Sequence, residues 1–241
     1  MRAQAEKLDP GEIATLLRGD AATLSAWSGH GDTYRSLRQV AVIVLGAGCY
    51  GAAMGWWRDP EQALFTAAKF PLIILLTTLG NALINAMLAP LLGLNIRFRQ
   101  SFSAILMSFT IASAILGAFS PVIAFMIWSA PPLSPQAVAG PAYSFIKLTH
   151  VAVITFAGVA GSTRLFQLLA RLGNSQRVAL RVLLGWLAAN LFLGSQLSWI
   201  LRPFIGAPNL PVEFFRATAL HGNFYENVFQ ALQQTLANFA D

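Results

Sequence analysis

An all-α membrane protein, a bundle of five transmembrane helices with amphipathic helices at both termini, is the fold class the sequence predicts. Three observations predict it. Five apolar runs, at roughly 40–57, 70–94, 102–128, 145–169 and 180–201, each have about the 20 mostly apolar residues that a helix needs to cross a bilayer core. A composition of 56% hydrophobic and 11% charged residues, with mean hydropathy +0.58, leaves too little polar surface for a soluble globule. The basic residues are sorted between alternate connections. Eleven (Arg2, Lys7, Arg18, Arg35, Arg38, Arg97, Arg99, Arg164, Arg171, Arg177, Arg181) fall on the N-terminal side of the alternation and five (Arg58, Lys69, Lys147, Arg202, Arg216) on the other. The positive-inside rule then puts the N-terminus in the cytoplasm and the C-terminus outside, in a bacterial inner membrane. Trp56, Trp57, Trp128, Tyr143 and Trp199 gather at the proposed outer ends, where amphipathic rings favour the headgroup level.

Residues 1–37 read as a cytoplasmic segment, 38–202 as the transmembrane domain and 203–241 as an external turn and amphipathic helix. The first 36 residues are polar, so no cleavable signal peptide is expected and the first span is its own targeting signal. Asp9, Pro10 and Glu12 have the order of a helix start, and the short amphipathic helix that follows carries Ile13, Leu16 and Leu17. It can lie on the bilayer surface or dock in the cytoplasm. Cys49, the only cysteine, has neither a disulfide partner nor a ligand companion.

In the first span Ala47, Gly51 and Gly55 share one small-residue face, which lets another helix approach closely. A partner within this chain is expected before a homodimer. The second span repeats the helix-start pattern at Asp59-Pro60-Glu61, so its helix should begin ahead of the hydrocarbon. Its interior is the most polar. Thr77, Asn81 and Asn85 recur every four residues and share a face, as the lining of a substrate or ion route or as hydrogen-bonding glue to neighbouring helices. Pro71 and Pro90 bracket this span and suggest a broken helix. The third span carries a second small stripe, Ala104, Ser108 and Ala112, and Pro121 should kink it. In the fourth, Lys147 and His150 lie one turn apart as candidate buried ionisable residues; Lys147 can alternatively snorkel to the interface. The fifth should end at Pro203, with turns at Gly206 and Pro208 and a further helix starting at Pro211, on which Glu213 and Arg216 could pair. From Asn223 onward Phe224, Val228, Leu232, Leu236 and Phe239 recur at helical spacing, as a partner-docking stripe or a brace against the bundle.

The Lys69-Phe70-Pro71-Leu72 start of the second span, the 92–100 turn and the 196–216 stretch with Arg202-Pro203-Phe204 and Glu213-Phe214-Phe215-Arg216 resemble bacterial multispan proteins grouped with the Yip1-like family. The resemblance implies a five-helix integral membrane fold and no activity.

No catalytic motif, phosphate-binding glycine loop or cluster of metal ligands occurs, and no carboxylate sits within a span, so no catalytic residue, cofactor or metal is expected. Basic residues spread between spans do not make a nucleic-acid patch. The expected partners are the lipid bilayer and another membrane or periplasmic protein. The expected function is that of a non-catalytic membrane subunit that binds and orients such a partner; the alternative is a small transporter or channel component with its route past Asn81 and Asn85.

Overall fold

The structure is a computed structural model that describes residues 33–135, 140–173, 175–230 and 233. Among these residues the chain is helical with no strand, and five helices are long and apolar enough to cross a membrane. They are α1 (Thr33–Gly55), α2 (Pro60–Leu91), α3 (Phe98–Ser129), α4 (Pro141–Leu172) and α5 (Gln176–Leu201). The N-terminal amphipathic helix and, in the tail stripe, Leu232, Leu236 and Phe239 lie outside the described residues.

Each helix starts ahead of its apolar run, and at α2 and α5 a polar side chain caps that start. Asp59 accepts the Glu61 amide at 2.8 Å with Pro60 as the first helical residue, as its position predicts, and Ser175 accepts the Val178 amide at the start of α5. The 32-residue helices α2, α3 and α4 are about 48 Å long, more than the ~30 Å of a hydrocarbon core, so their ends stand beyond it.

Packing follows small residues. Helices α2, α3, α4 and α5 contact one another in a ring, and α1 lies in the groove between α2 and α3. That groove admits it because Gly51 and Gly55 lie against the α2 backbone: a Cβ on Gly51 would stand 2.5 Å from the Thr66 carbonyl oxygen, and one on Gly55 2.6 Å from that of Gln62. The Ala47, Gly51 and Gly55 face is thus consumed inside the chain. Ser108 of the second stripe meets Gly161 of α4 equally closely, while Ala104 is buried and Ala112 half-buried. The closest crossing is one the two stripes do not include. A Cβ on Gly46 would meet the Ser113 carbonyl oxygen at 2.2 Å, and one on Gly117 would meet the Gly46 Cα at 2.9 Å.

The prolines do not break the helices. Both Pro71 and Pro90 sit within a continuous α2, contrary to the expected break, and α3 runs on through Pro121. Pro121 removes the amide that would bond the Gly117 carbonyl, and the Ser120 hydroxyl donates to that oxygen instead, at 2.7 Å.

Two apolar clusters fill the bundle. One joins α2, α3, α4 and α5 around Trp186, Leu165 and Leu169; the other joins α1, α3 and α4 around Tyr50, Met54, Ile123 and Val153. After α5 the chain turns at Arg202-Pro203, and residues 203–216 return along the start of α2 as a non-helical strap. The helix expected from Pro211 is absent, because Lys69 takes the Glu213 carbonyl and Phe214 packs edge-on against Phe65. We call the end of the bundle that carries this segment the strap end.

Candidate functional site

Six of the buried polar side chains among the described residues follow one helix. Gln62, Thr66 and Lys69, followed by Thr77, Asn81 and Asn85, run down the interior of α2, and every one is at most 3% exposed. Successive spacings of three, four and eight residues keep each near the same helix face as its neighbour.

At the strap end these side chains hold the strap through its carbonyl groups. Gln62 Nε2 donates to Pro203 O and Phe204 O, each at 3.0 Å, and the Thr66 hydroxyl donates to Phe204 O at 2.7 Å. Lys69 Nζ donates to Pro203 O at 3.1 Å and Glu213 O at 3.3 Å, with the Phe214 ring 5.2 Å away. The Lys69 ammonium is therefore buried against carbonyl dipoles and aromatic faces, with no carboxylate paired to it among the described residues. Arg58 adds donors to Pro208 O and Leu210 O, and its stem lies against Gly206, whose φ of +88° favours glycine. Phe70 and Phe204 meet edge to face beneath the strap.

Cations collect here. Arg202 stacks on Trp199, 3.3 Å from the ring centre, and its Nη1 donates to the Trp199 carbonyl at 2.6 Å. Burial and then the nearby Arg216 guanidinium both push the Arg202 pKa below the usual arginine value. Glu213 and Arg216 do not pair: Glu213 is exposed and bonded only through its carbonyl.

Tyr50 of α1 and His150 of α4 share a hydrogen bond of 2.8 Å between the Tyr50 hydroxyl and His150 Nδ1. Both are buried, Tyr50 also packs on Phe70, and His150 Nε2 has no partner. Lys147, expected as a buried ionisable residue beside His150, is exposed instead, with its ammonium over the Tyr143 ring. Three positions set it about 60° round the helix from His150, enough to bring it to the bundle surface.

Toward the middle of the bundle the α2 face meets α5. Asn81 Nδ2 donates to Asn190 Oδ1 and to the Trp186 carbonyl, and Asn85 Nδ2 donates to Asn81 Oδ1. The third predicted residue, Thr77, is buried opposite Gly194 with its hydroxyl unpartnered. Sequence reasoning missed Asn190 and the strap-holding set of Gln62, Thr66 and Lys69. The signal for the set was present, since it continues the polar face upward at helical spacing.

Of the tail stripe, Phe224 is half-buried and Val228 is exposed, on a helical stretch at 224–230. Its contact with the bundle runs through Tyr225, which stacks on Phe192 and donates to Leu191 O at 3.3 Å. Between α1 and α3 an apolar groove of about 730 Å³ opens at the strap end, lined by Cys49, Ala52 and Trp56 on one side and Pro121, Ala124 and Trp128 on the other.

No protein-family model, characterised protein or solved structure matches the chain.

Proposed function

We propose that the protein is a non-catalytic subunit of the bacterial inner membrane that binds and orients a partner protein on the periplasmic side. One observation carries this reading: a strap pinned by buried hydrogen bonds carries, and is followed by, large apolar side chains that the bundle leaves uncovered. Phe215 is 55% exposed, Leu220 79%, Val228 49% and Phe229 59%. A strap held this firmly has its backbone ordered in advance, so docking on it costs less conformational entropy. The small-residue faces of α1 and α3 serve packing within the chain, which leaves the tail as the docking element. Truncation after Leu220 tests the reading. The five helices should stay inserted and monodisperse while a co-purifying membrane or periplasmic protein is released. A truncated protein that keeps every associated subunit but loses stability in detergent would make the tail an internal brace.

A second reading, a small transporter or channel component, is supported by orphaned polar atoms. Thr77 Oγ1, Asn85 Oδ1 and Trp186 Nε1 are buried without hydrogen-bond partners around the Asn81–Asn190 pair. Water in a route would satisfy them. Interhelical polar bonds in membranes average about 0.6 kcal/mol, so replacing Asn81 and Asn85 together by Leu should weaken packing while leaving the protein inserted. If the double variant folds and selectively loses flux through reconstituted vesicles, the route reading holds; weakened packing with unchanged flux makes the asparagines glue.

A further inference from the structure

The tail meets the bundle beside the apolar part of α5, not beyond its end. Leu191 is central in the 180–201 run of α5, and its neighbour Asn190 is bonded to Asn81, central in the 70–94 run of α2, so two helices set the same level. The end of α5 at Leu201 lies about 15 Å further along the helix. The Tyr225 hydroxyl reaches down to this level. It donates to Leu191 O at 3.3 Å and lies 3.4 Å from Ser195 Oγ, while the ring stacks on Phe192 with 5.8 Å between centres. Just ahead of it the chain passes Trp199, since a Cβ on Gly222 would stand 3.9 Å from that indole. The helical stretch 224–230 therefore begins between the levels of Trp199 and Leu191, where acyl chains give way to head groups.

Its two faces suit that boundary. At about 100° per residue, Phe224, Tyr225, Val228 and Phe229 fall within an arc of about 140°, and Glu226, Asn227 and Gln230 fill the opposite side. Tyr225 fixes which face turns to α5. Beside it the bundle covers Phe224 in part and leaves Val228 and Phe229 exposed. Glu226 is the only charged residue of 223–230, and its carboxylate turns back toward the start of the stretch: Asn223 Nδ2 donates to Oε2 at 3.4 Å, beside Gly222. Asn223 Oδ1 accepts the Glu226 amide at 2.9 Å and so caps the stretch. With no cation here to meet anionic lipid, burial of apolar surface is the attraction.

We propose that 224–230 is an interfacial helix seated in the leaflet at the strap end, with acyl chains covering Val228 and Phe229 and with Glu226, Asn227 and Gln230 turned to the head groups. The seat narrows the docking reading without resting on it. A protein docking there meets the polar face of the tail and, earlier in the chain, the exposed Phe215 and Leu220.

The experiment uses the full chain in phosphatidylcholine vesicles, with Cys49→Ala removing the one native thiol. A single nitroxide label is then carried by Asn227→Cys, Val228→Cys, Phe229→Cys or Gln230→Cys in turn. All four native side chains are exposed, so the label displaces no packing. Electron paramagnetic resonance measures how often each label collides with oxygen, which concentrates among acyl chains, and with a nickel chelate, which stays in water. The oxygen-to-nickel ratio should be several-fold higher at positions 228 and 229 than at 227 and 230. The labels are read on the purified protein alone, so this result and the release of a partner by truncation after Leu220 can fail independently. The proposal is overturned if nickel dominates at all four positions, which puts the tail in water, or if 228 and 229 collide with neither reagent, which means that protein covers them. An equal preference for oxygen at all four would also overturn it, because the polar face would then lie among acyl chains.

Discussion

Gly46 is the most tightly enclosed glycine of the bundle helices, because the α3 backbone occupies the place its side chain would take. Gly46→Ala should destabilise the fold by about 1–3 kcal/mol or more through forced separation of α1 and α3. Gly158→Ala, where a Cβ would meet nothing within 4 Å, should be neutral. Thermal unfolding in one detergent compares the two, and equal losses would mean that the crossing does not limit stability. Sequence spacing identified Gly51 and Gly55 because they repeat in a recognisable pattern. It did not identify Gly46, whose partner Gly117 belongs to a different helix; only the crossing brings them together. His150 and Lys147 differ for a related reason. They are three positions apart, and the sequence does not fix how far α4 is rotated, so one faces Tyr50 and the other Tyr143 at the surface.

At the scale of elements the strap is the least regular and the most specifically held part of the molecule. Its backbone carbonyls, which a helix would have satisfied internally, are taken by Gln62, Thr66, Lys69 and Arg58. Lys69→Met should therefore free the 213–216 part while Gln62 and Thr66 keep the 203–204 part in place. Charge-assisted hydrogen bonds of this kind contribute about 1.5–3 kcal/mol. Limited trypsin digestion should then cut after Arg216 markedly faster in the variant than in the wild type, with the helices intact. Unchanged cleavage would show that Lys69 does not hold the strap. The expected helix from Pro211 was a reading of local signals, and those signals lost to tertiary contacts with α2 that no local pattern contains. The long helices went the other way. Asp59 and Pro60 marked the start of α2 correctly, since a cap is decided by residues within a few positions of one another.

For the whole molecule, class and number of spans were legible because a bilayer imposes one requirement on every crossing segment: about 20 apolar residues with all backbone groups bonded internally. Which helices are neighbours was not legible. The placement of α1 outside the ring of α2 to α5 follows from glycines that only the folded chain aligns. The α2 polar face was read in its middle and missed at its start, where Lys69 resembles a boundary residue until the strap covers it.

Docking of a periplasmic partner requires that the strap end face away from the cytoplasm, and the charge asymmetry of eleven basic residues against five is the reason to expect it. The direct measurement is a set of fusions to a reporter that is active only in the cytoplasm. Joined ahead of Thr33 or inserted at Gly173, between α4 and α5, the reporter should be active. Inserted at Leu133, between α3 and α4, or joined after Asp241, it should be silent. Activity at Leu133 and Asp241 with silence at Gly173 would invert the molecule in its membrane and contradict the account.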